Sequence, residues 1–205
     1  RMLVDADNIK RLADDFNKVD EGTLTIATTH TQARYVLPPI VNLFKKEFPK
    51  VHLILQQASP VEITEMLLQG EADIGIATES LTTENNLASV PFYKWQHSII
   101  TPQNHPLASH DHIALTDLAT YPIITYHGGF TGRSKIDEAF EQAGLDVDIV
   151  MSALDADVIK TYVELGMGVG IVNDVAYDKE RDHRLKQIQT DIFGVNTTWL
   201  AVRKG

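Results

Sequence analysis

The chain has 205 residues, 43% of them hydrophobic, with 18 Lys plus Arg against 28 Asp plus Glu and a formal charge of −10. That balance belongs to a globular chain with room for one large domain or two lobes, and excludes a disordered or fibrous protein. The absence of Cys excludes disulfide frameworks, thiolate metal sites and cysteine nucleophiles, and the acidic surplus argues against this polypeptide gripping a phosphate backbone by itself. No apolar run approaches the roughly 20 residues of a membrane span.

Leu3, Val4, Ile9, Leu12, Phe16 and Val19 recur at mostly helical spacing, so an amphipathic helix ended by Gly22 is predicted. An ordinary N-terminal helix and a linker helix cut from something longer both fit. Thr23–Thr28 is a β-branched strand, and a helix follows from about Gln32 to Phe48 with a stripe of Val36, Leu37, Ile40, Val41, Phe44 and Phe48. Pro38 and Pro39 remove two backbone donors, which predicts a kink or a late start. Val51–Gln56 is a second strand. Pro60 opens a helix closed by Gly70, and Asp73–Ala77 is a buried third strand. This β-α-β-α-β order implies a parallel sheet.

The theme repeats: a strand at Phe92–Thr101, a short helix at Leu115–Ala119, a strand at Tyr121–Tyr126, and a glycine loop opening a helix to about Ala143. Ile149–Ala153 is a strand, Asp155 or Asp157 caps a helix to Leu165, and strands lie at Val169–Val172, Leu185–Gln189 and Thr197–Val202. The last strand is apolar enough to be internal and returns to an existing sheet. The predicted class is α/β, with two Rossmann-like lobes around a cleft.

Several motifs fall short of the chemistry they suggest. Gly166-Met167-Gly168-Val169-Gly170 has Ile171 where a dinucleotide fingerprint needs Gly, and it runs from helix to strand, the wrong way round. His127–Ser134 lacks the glycine spacing and the Lys of a phosphate loop. His105, His110 and His112 with Asp111 sit in a Pro-containing loop without helical ligand spacing, so no metal site is assigned. No serine has a nucleophile-elbow context, no resident cofactor is implied, and Asp155 and Asp157 read as caps more than as an acid–base pair.

Hydroxyl placement is more informative. Thr29 and Thr31 fall where a strand hands over to a helix, Thr131 where a glycine loop does so, and Thr78 directly after the third strand. Helix starts carry about half a positive charge and free N–H groups, which suits a small anion, and all these loops lie at the carboxyl edge of the sheet. Thr as a plain N-cap is the competing reading at each position.

Thr28-Thr29-His30-Thr31-Gln32-Ala33-Arg34-Tyr35, Gly129-Phe130-Thr131-Gly132-Arg133-Ser134 and Asp155–Val163 resemble the LysR-type transcriptional regulators, in particular their cysteine-regulon (CysB-like) branch. The likeness runs over residues 1–205, and the Gly166–Ile171 stretch is typical of the wider family. The resemblance implies an effector-binding domain of the type 2 periplasmic-binding-protein kind, not an enzyme. Residues 1–20 would end a linker helix, 23–91 plus 196–205 would form one subdomain, and 92–195 the other. A winged helix-turn-helix ahead of Arg1 would contact promoter DNA. The effector would be N-acetylserine or O-acetylserine, with sulfate or thiosulfate in the same cleft, against Thr29, His30 (through its backbone N–H), Thr31, Gln32, Thr78, Trp95 and Thr131. Trp95 over an acetyl group and Trp95 as core packing stay open. The resemblance further implies a cytoplasmic protein without membrane contact, a homodimer of effector domains and a full-length homotetramer. A periplasmic-type solute-binding protein for a small anion would share the fold. The chain departs from the family after Gly170, at Val172-Asn173-Asp174 and in the final helix expected past Gly205.

Overall fold

The computed structural model describes residues 21–205, so the helix expected over Leu3–Val19 lies outside the described residues. The β-branched run forms β1 (Gly22–Thr28). In place of one helix from Gln32, the chain makes a π-helical turn over Gln32–Val36 and then α1 (Leu37–Glu47). The prolines account for this. Neither Pro38 nor Pro39 can donate to a carbonyl four residues back, and the Leu37 N–H bonds Gln32 O, five back. The expected stripe is only partly inside: Leu37 is buried, Val36, Val41, Phe44 and Phe48 are half-buried, and Ile40 is exposed.

β2 (Val51–Gln57), α2 (Pro60–Gln69) and β3 (Ile74–Ala77) follow. A capping box starts α2: Ser59 Oγ accepts from the Glu62 N–H at 3.2 Å, and the Glu62 carboxylate accepts from the Ser59 N–H at 2.8 Å. Gly70, at φ 75°, ends it. β1 lies between β2 and β3 and is parallel to both.

β4 (Leu87–Pro102) starts earlier than the sequence suggests, with Pro91 tolerated at a register irregularity between Pro91 and Tyr93. Beyond it come a 3₁₀ turn (Pro106–Ser109), α3 (Leu115–Leu118), β5 (Ile123–Tyr126), α4 (Arg133–Gln142), β6 (Ile149–Ala153) and α5 (Ala156–Glu164). β7 (Val169–Asn173), a 3₁₀ turn (Asp174–Ala176), β8 (Leu185–Gln189) and β9 (Val195–Arg203) complete the chain. The strand order is β2-β1-β3-β9-β4-β7-β5-β6, with β8 also on β4. β9 is therefore internal, antiparallel to β3 and to the Leu87–Gln96 part of β4. The rest of β4 pairs β7 and β8, so this one strand passes from the first lobe into the second.

Both faces of each lobe are covered. In the first, Ile63, Leu67 and Leu81 pack on one face and Ile26, Leu37 and Ile76 on the other. In the second, Ile99, Leu118 and Phe140 answer Ile100, Ile124 and Ile159. Each such side chain contributes about 1.5–3 kcal/mol on burial. Among the described residues, no helix is long and apolar enough to cross a membrane.

Candidate functional site

The end of β1 delivers Thr29, Thr31 and Gln32, all buried, into the wide turn that the prolines impose. Gln32 Nε2 reaches Thr29 Oγ1 at 3.5 Å, and Gln32 Oε1 accepts from the Tyr93 hydroxyl at 2.6 Å. Thr31 stands at the N-cap position of the π turn without a side-chain cap bond, its hydroxyl beside that of Tyr126. Thr131 makes no cap either: it sits in the left-handed region at φ 43°, and Gly132 is the N-cap of α4. The plain-cap reading fails at both positions, leaving these buried hydroxyls for other work.

From β3, Thr78 Oγ1 lies 3.1 Å from Thr198 Oγ1, which also accepts from Trp95 Nε1 at 3.0 Å. Trp95 is buried, edge-on to the His97 ring at 4.8 Å, with its N–H already bonded. His97 in turn donates from Nε2 to Thr131 O at 2.8 Å. A carbonyl only accepts, so in the neutral ring Nδ1 keeps its lone pair, and it is buried without a partner. Burial holds the His97 pKa down to about 4, so the ring is neutral near pH 7. Gly132, at φ 70°, suits glycine: a Cβ would meet Asn196 Oδ1 at 2.6 Å and His97 Cε1 at 2.8 Å, so both side chains would have to shift.

Six predicted residues thus meet at one edge of the two lobes. Thr29 and Gln32 connect through Tyr93, which lies opposite Thr198 in register, to Thr78 and Trp95; His97 carries the set to Thr131, and Thr31 stands beside Tyr126. The side chain of His30 joins a different group. Its Nε2 lies 3.3 Å from Asp157 Oδ2. Of the two expected caps, only Asp155 is one, accepting from the Val158 N–H at 3.0 Å. Asp157 accepts from the Tyr35 hydroxyl and lies 3.4 Å from Lys160 Nζ and 3.8 Å from Arg34 Nε. Buried Lys160 also donates to Tyr35 at 2.8 Å and to Asp182 at 2.9 Å. Burial, with Asp157 beside it, keeps the Tyr35 phenol protonated. Among the described residues, His30, Asp155 and Asp157 approach closely enough to hold a metal ion, yet Lys160 and Arg34 already offset the charge of Asp157. In the histidine-rich loop, His105 Nδ1 accepts from the Leu107 N–H at 3.1 Å and steadies the turn.

Tyr93, His97, Asn196, Thr198 and Glu79 complete the site and were not singled out by their loops. For four of them the signal is the strand period: Tyr93, Trp95 and His97 alternate along β4, facing Asn196 and Thr198 across the β9 register.

The LysR substrate binding domain family matches residues 17–205. The chain is 52% identical over its full length to the transcriptional regulator SsuR of Burkholderia cenocepacia, covering 67% of it, and 48% identical over its full length to CysB of the same organism, covering 66%. It therefore spans about two thirds of these relatives, which are transcriptional regulators and not enzymes. The crystal structure of the cofactor-binding domain of the Cbl transcriptional regulator superposes with a TM-score of 0.86 at 47% identity, over 90% of this chain and 82% of that one. A family match over nearly all of the sequence, relatives near half identical, and a curled mixed sheet place this chain in the LysR substrate-binding domain family, as an effector-binding domain of the kind found in the CysB, Cbl and SsuR regulators.

Proposed function

We propose that this chain senses a small anion of sulfur metabolism (N-acetylserine, O-acetylserine, sulfate or thiosulfate) in the cleft between its lobes, for a regulator of sulfur assimilation and cysteine biosynthesis. The observation that carries the reading is the gathering of buried Thr29, Thr31, Gln32 and Thr131, with Thr78, at one edge of both lobes. Neutral donors accept an anion without burying a second charge that needs its own partner, and the helix starts add their partial charge. Kinship with SsuR, CysB and Cbl supports the sulfur assignment. A ligand of roughly ten heavy atoms at about −0.5 kcal/mol per atom binds between millimolar and micromolar, in the range of a fluctuating metabolite.

Binding across Thr29/Thr31 and Thr131 shifts the lobes about Val90–Phe92 and Phe193–Asn196, provided the effector favours one arrangement over the other. The shift passes to a separate winged helix-turn-helix that contacts promoter DNA, in a cytoplasmic protein paired through its effector domains and tetrameric at full length. Thermal shift and calorimetry against both acetylserines, sulfate and thiosulfate test this, because a ligand selective for the folded state raises its stability. At least one of them raises the melting temperature, and Thr31→Val removes the rise. Four silent ligands, or an unaltered response in Thr31→Val, refute it.

A further inference from the structure

The donors at the head of α4 are not free. Glu79, in the turn after β3, reaches over from the first lobe, and its Oε1 accepts from the Gly132 N–H at 2.6 Å. The Thr131 N–H faces the same carboxylate, and burial lifts the Glu79 carboxyl above its usual range against the pull of these donors. Its second oxygen, Oε2, is buried without a partner. So is Nδ2 of Asn196, a side chain only 4% exposed that lies against Gly132. Among the described residues, the two non-glycine positions with positive φ, Ser80 at 72° and Thr131 at 43°, stand next to the two ends of this contact. The turn is therefore a seat for an oxyanion, with the Asn196 amide packed behind it through Oδ1, and it is occupied by an anion from within the chain.

We propose that Glu79 is an internal competitor of the effector: its carboxylate holds the oxyanion seat made by the Thr131 and Gly132 N–H groups, and a carboxylate- or sulfate-like ligand must displace it to bridge the lobes. The inference rests on reading the cleft as an anion sensor. Only the fraction of molecules with Glu79 withdrawn accepts ligand at this end, so apparent affinity falls by that fraction. Glu79 thereby sets the concentration at which the sensor responds, and ties the lobes together below it.

Sulfate is titrated into the wild-type chain, Glu79→Ala and Glu79→Gln by calorimetry, and formate into the same three by thermal shift, with chloride at matched ionic strength as control. Sulfate binds Glu79→Ala about tenfold or more tightly than wild type. Formate, a carboxylate small enough for the vacated seat, saturably stabilises Glu79→Ala and leaves wild type at the chloride baseline. Glu79→Gln keeps a carbonyl acceptor for the Gly132 N–H, folds without the charge, and shows a sulfate affinity above wild type. Sulfate affinity in Glu79→Ala or Glu79→Gln that equals or falls below wild type overturns the proposal, the fall marking Glu79 as a ligand contact instead. Equal formate shifts in wild type and Glu79→Ala also overturn it. The broader reading fails separately, through Thr31→Val, which leaves the formate comparison untouched.

Discussion

Replacing a buried hydroxyl with a methyl removes a donor and keeps the shape, so Thr31→Val deletes its bond to the anion together with its contact to the Tyr126 hydroxyl. Because Thr31 caps nothing, the fold survives, and binding of sulfate or acetylserine weakens by about 1–3 kcal/mol as a buried acceptor goes bare. Calorimetry reads this directly, and an unchanged dissociation constant counts against the site. His97 makes the matching prediction for pH. Its folded pKa of about 4 lies below the unfolded value of 6.5, so protonation favours the unfolded chain. Stability from the neutral ring is complete above pH 6.5 and is lost as pH falls toward 4, by about 3 kcal/mol in all. Urea titrations at pH 7 and pH 4.5 show a smaller difference for His97→Gln than for wild type; equal differences refute the assignment. At this scale the sequence was legible in placing residues between a strand and a helix, as with Thr29, Thr31 and Thr131. It was silent on Glu79, whose role comes from a contact 53 residues away in sequence.

Elements were legible where local signals agreed. The α2 helix, with Pro60 at its start and Gly70 at its end, matches its prediction because cap, proline and glycine all act within a few residues. The first helix was harder, since two adjacent prolines change the hydrogen-bond spacing upstream of themselves, where periodicity gives no sign. β4 was read short because its Leu87–Val90 segment owes its strand state to pairing with Leu200–Arg203, far along the chain. Tertiary pairing also fixes Gly168, for which the local glycine spacing gives no reason. A Cβ there would lie 2.7 Å from Pro122 O, a carbonyl already accepting from the Val169 N–H at 2.8 Å. Backbone cannot step aside as a side-chain tip can, so Gly168→Ala forces β7 away from the segment before β5 and costs about 2 kcal/mol. The urea midpoint falls accordingly, and a variant as stable as wild type excludes this close approach.

At the scale of the whole molecule, apolar surface is left at both ends of the sheet. Beside β2, the strand at one end of the order, Ile40, Leu43, Ile54 and Leu55 are exposed. Beside β6, the strand at the other end, Val150, Leu154, Val158, Leu165 and Met167 are exposed. Singly exposed hydrophobics need no explanation, but two clusters at opposite ends of one sheet do. If the first cluster of one copy met the second of another in an open head-to-tail fashion, the chain would grow into filaments. In the homodimer proposed above, a two-fold axis would close the arrangement instead, each copy covering both clusters of its partner. That closure would give the homodimer, and would cover Ile40, the exposed residue of the predicted stripe on the first helix. A charge in either cluster is then buried twice per dimer. Leu43→Glu and Leu165→Glu each convert the dimer to monomer in sedimentation or light scattering, while their combination is no worse than either alone, since both remove one composite interface. Monomeric wild type, or a variant in one cluster that leaves the dimer intact, breaks the pairing of these two surfaces.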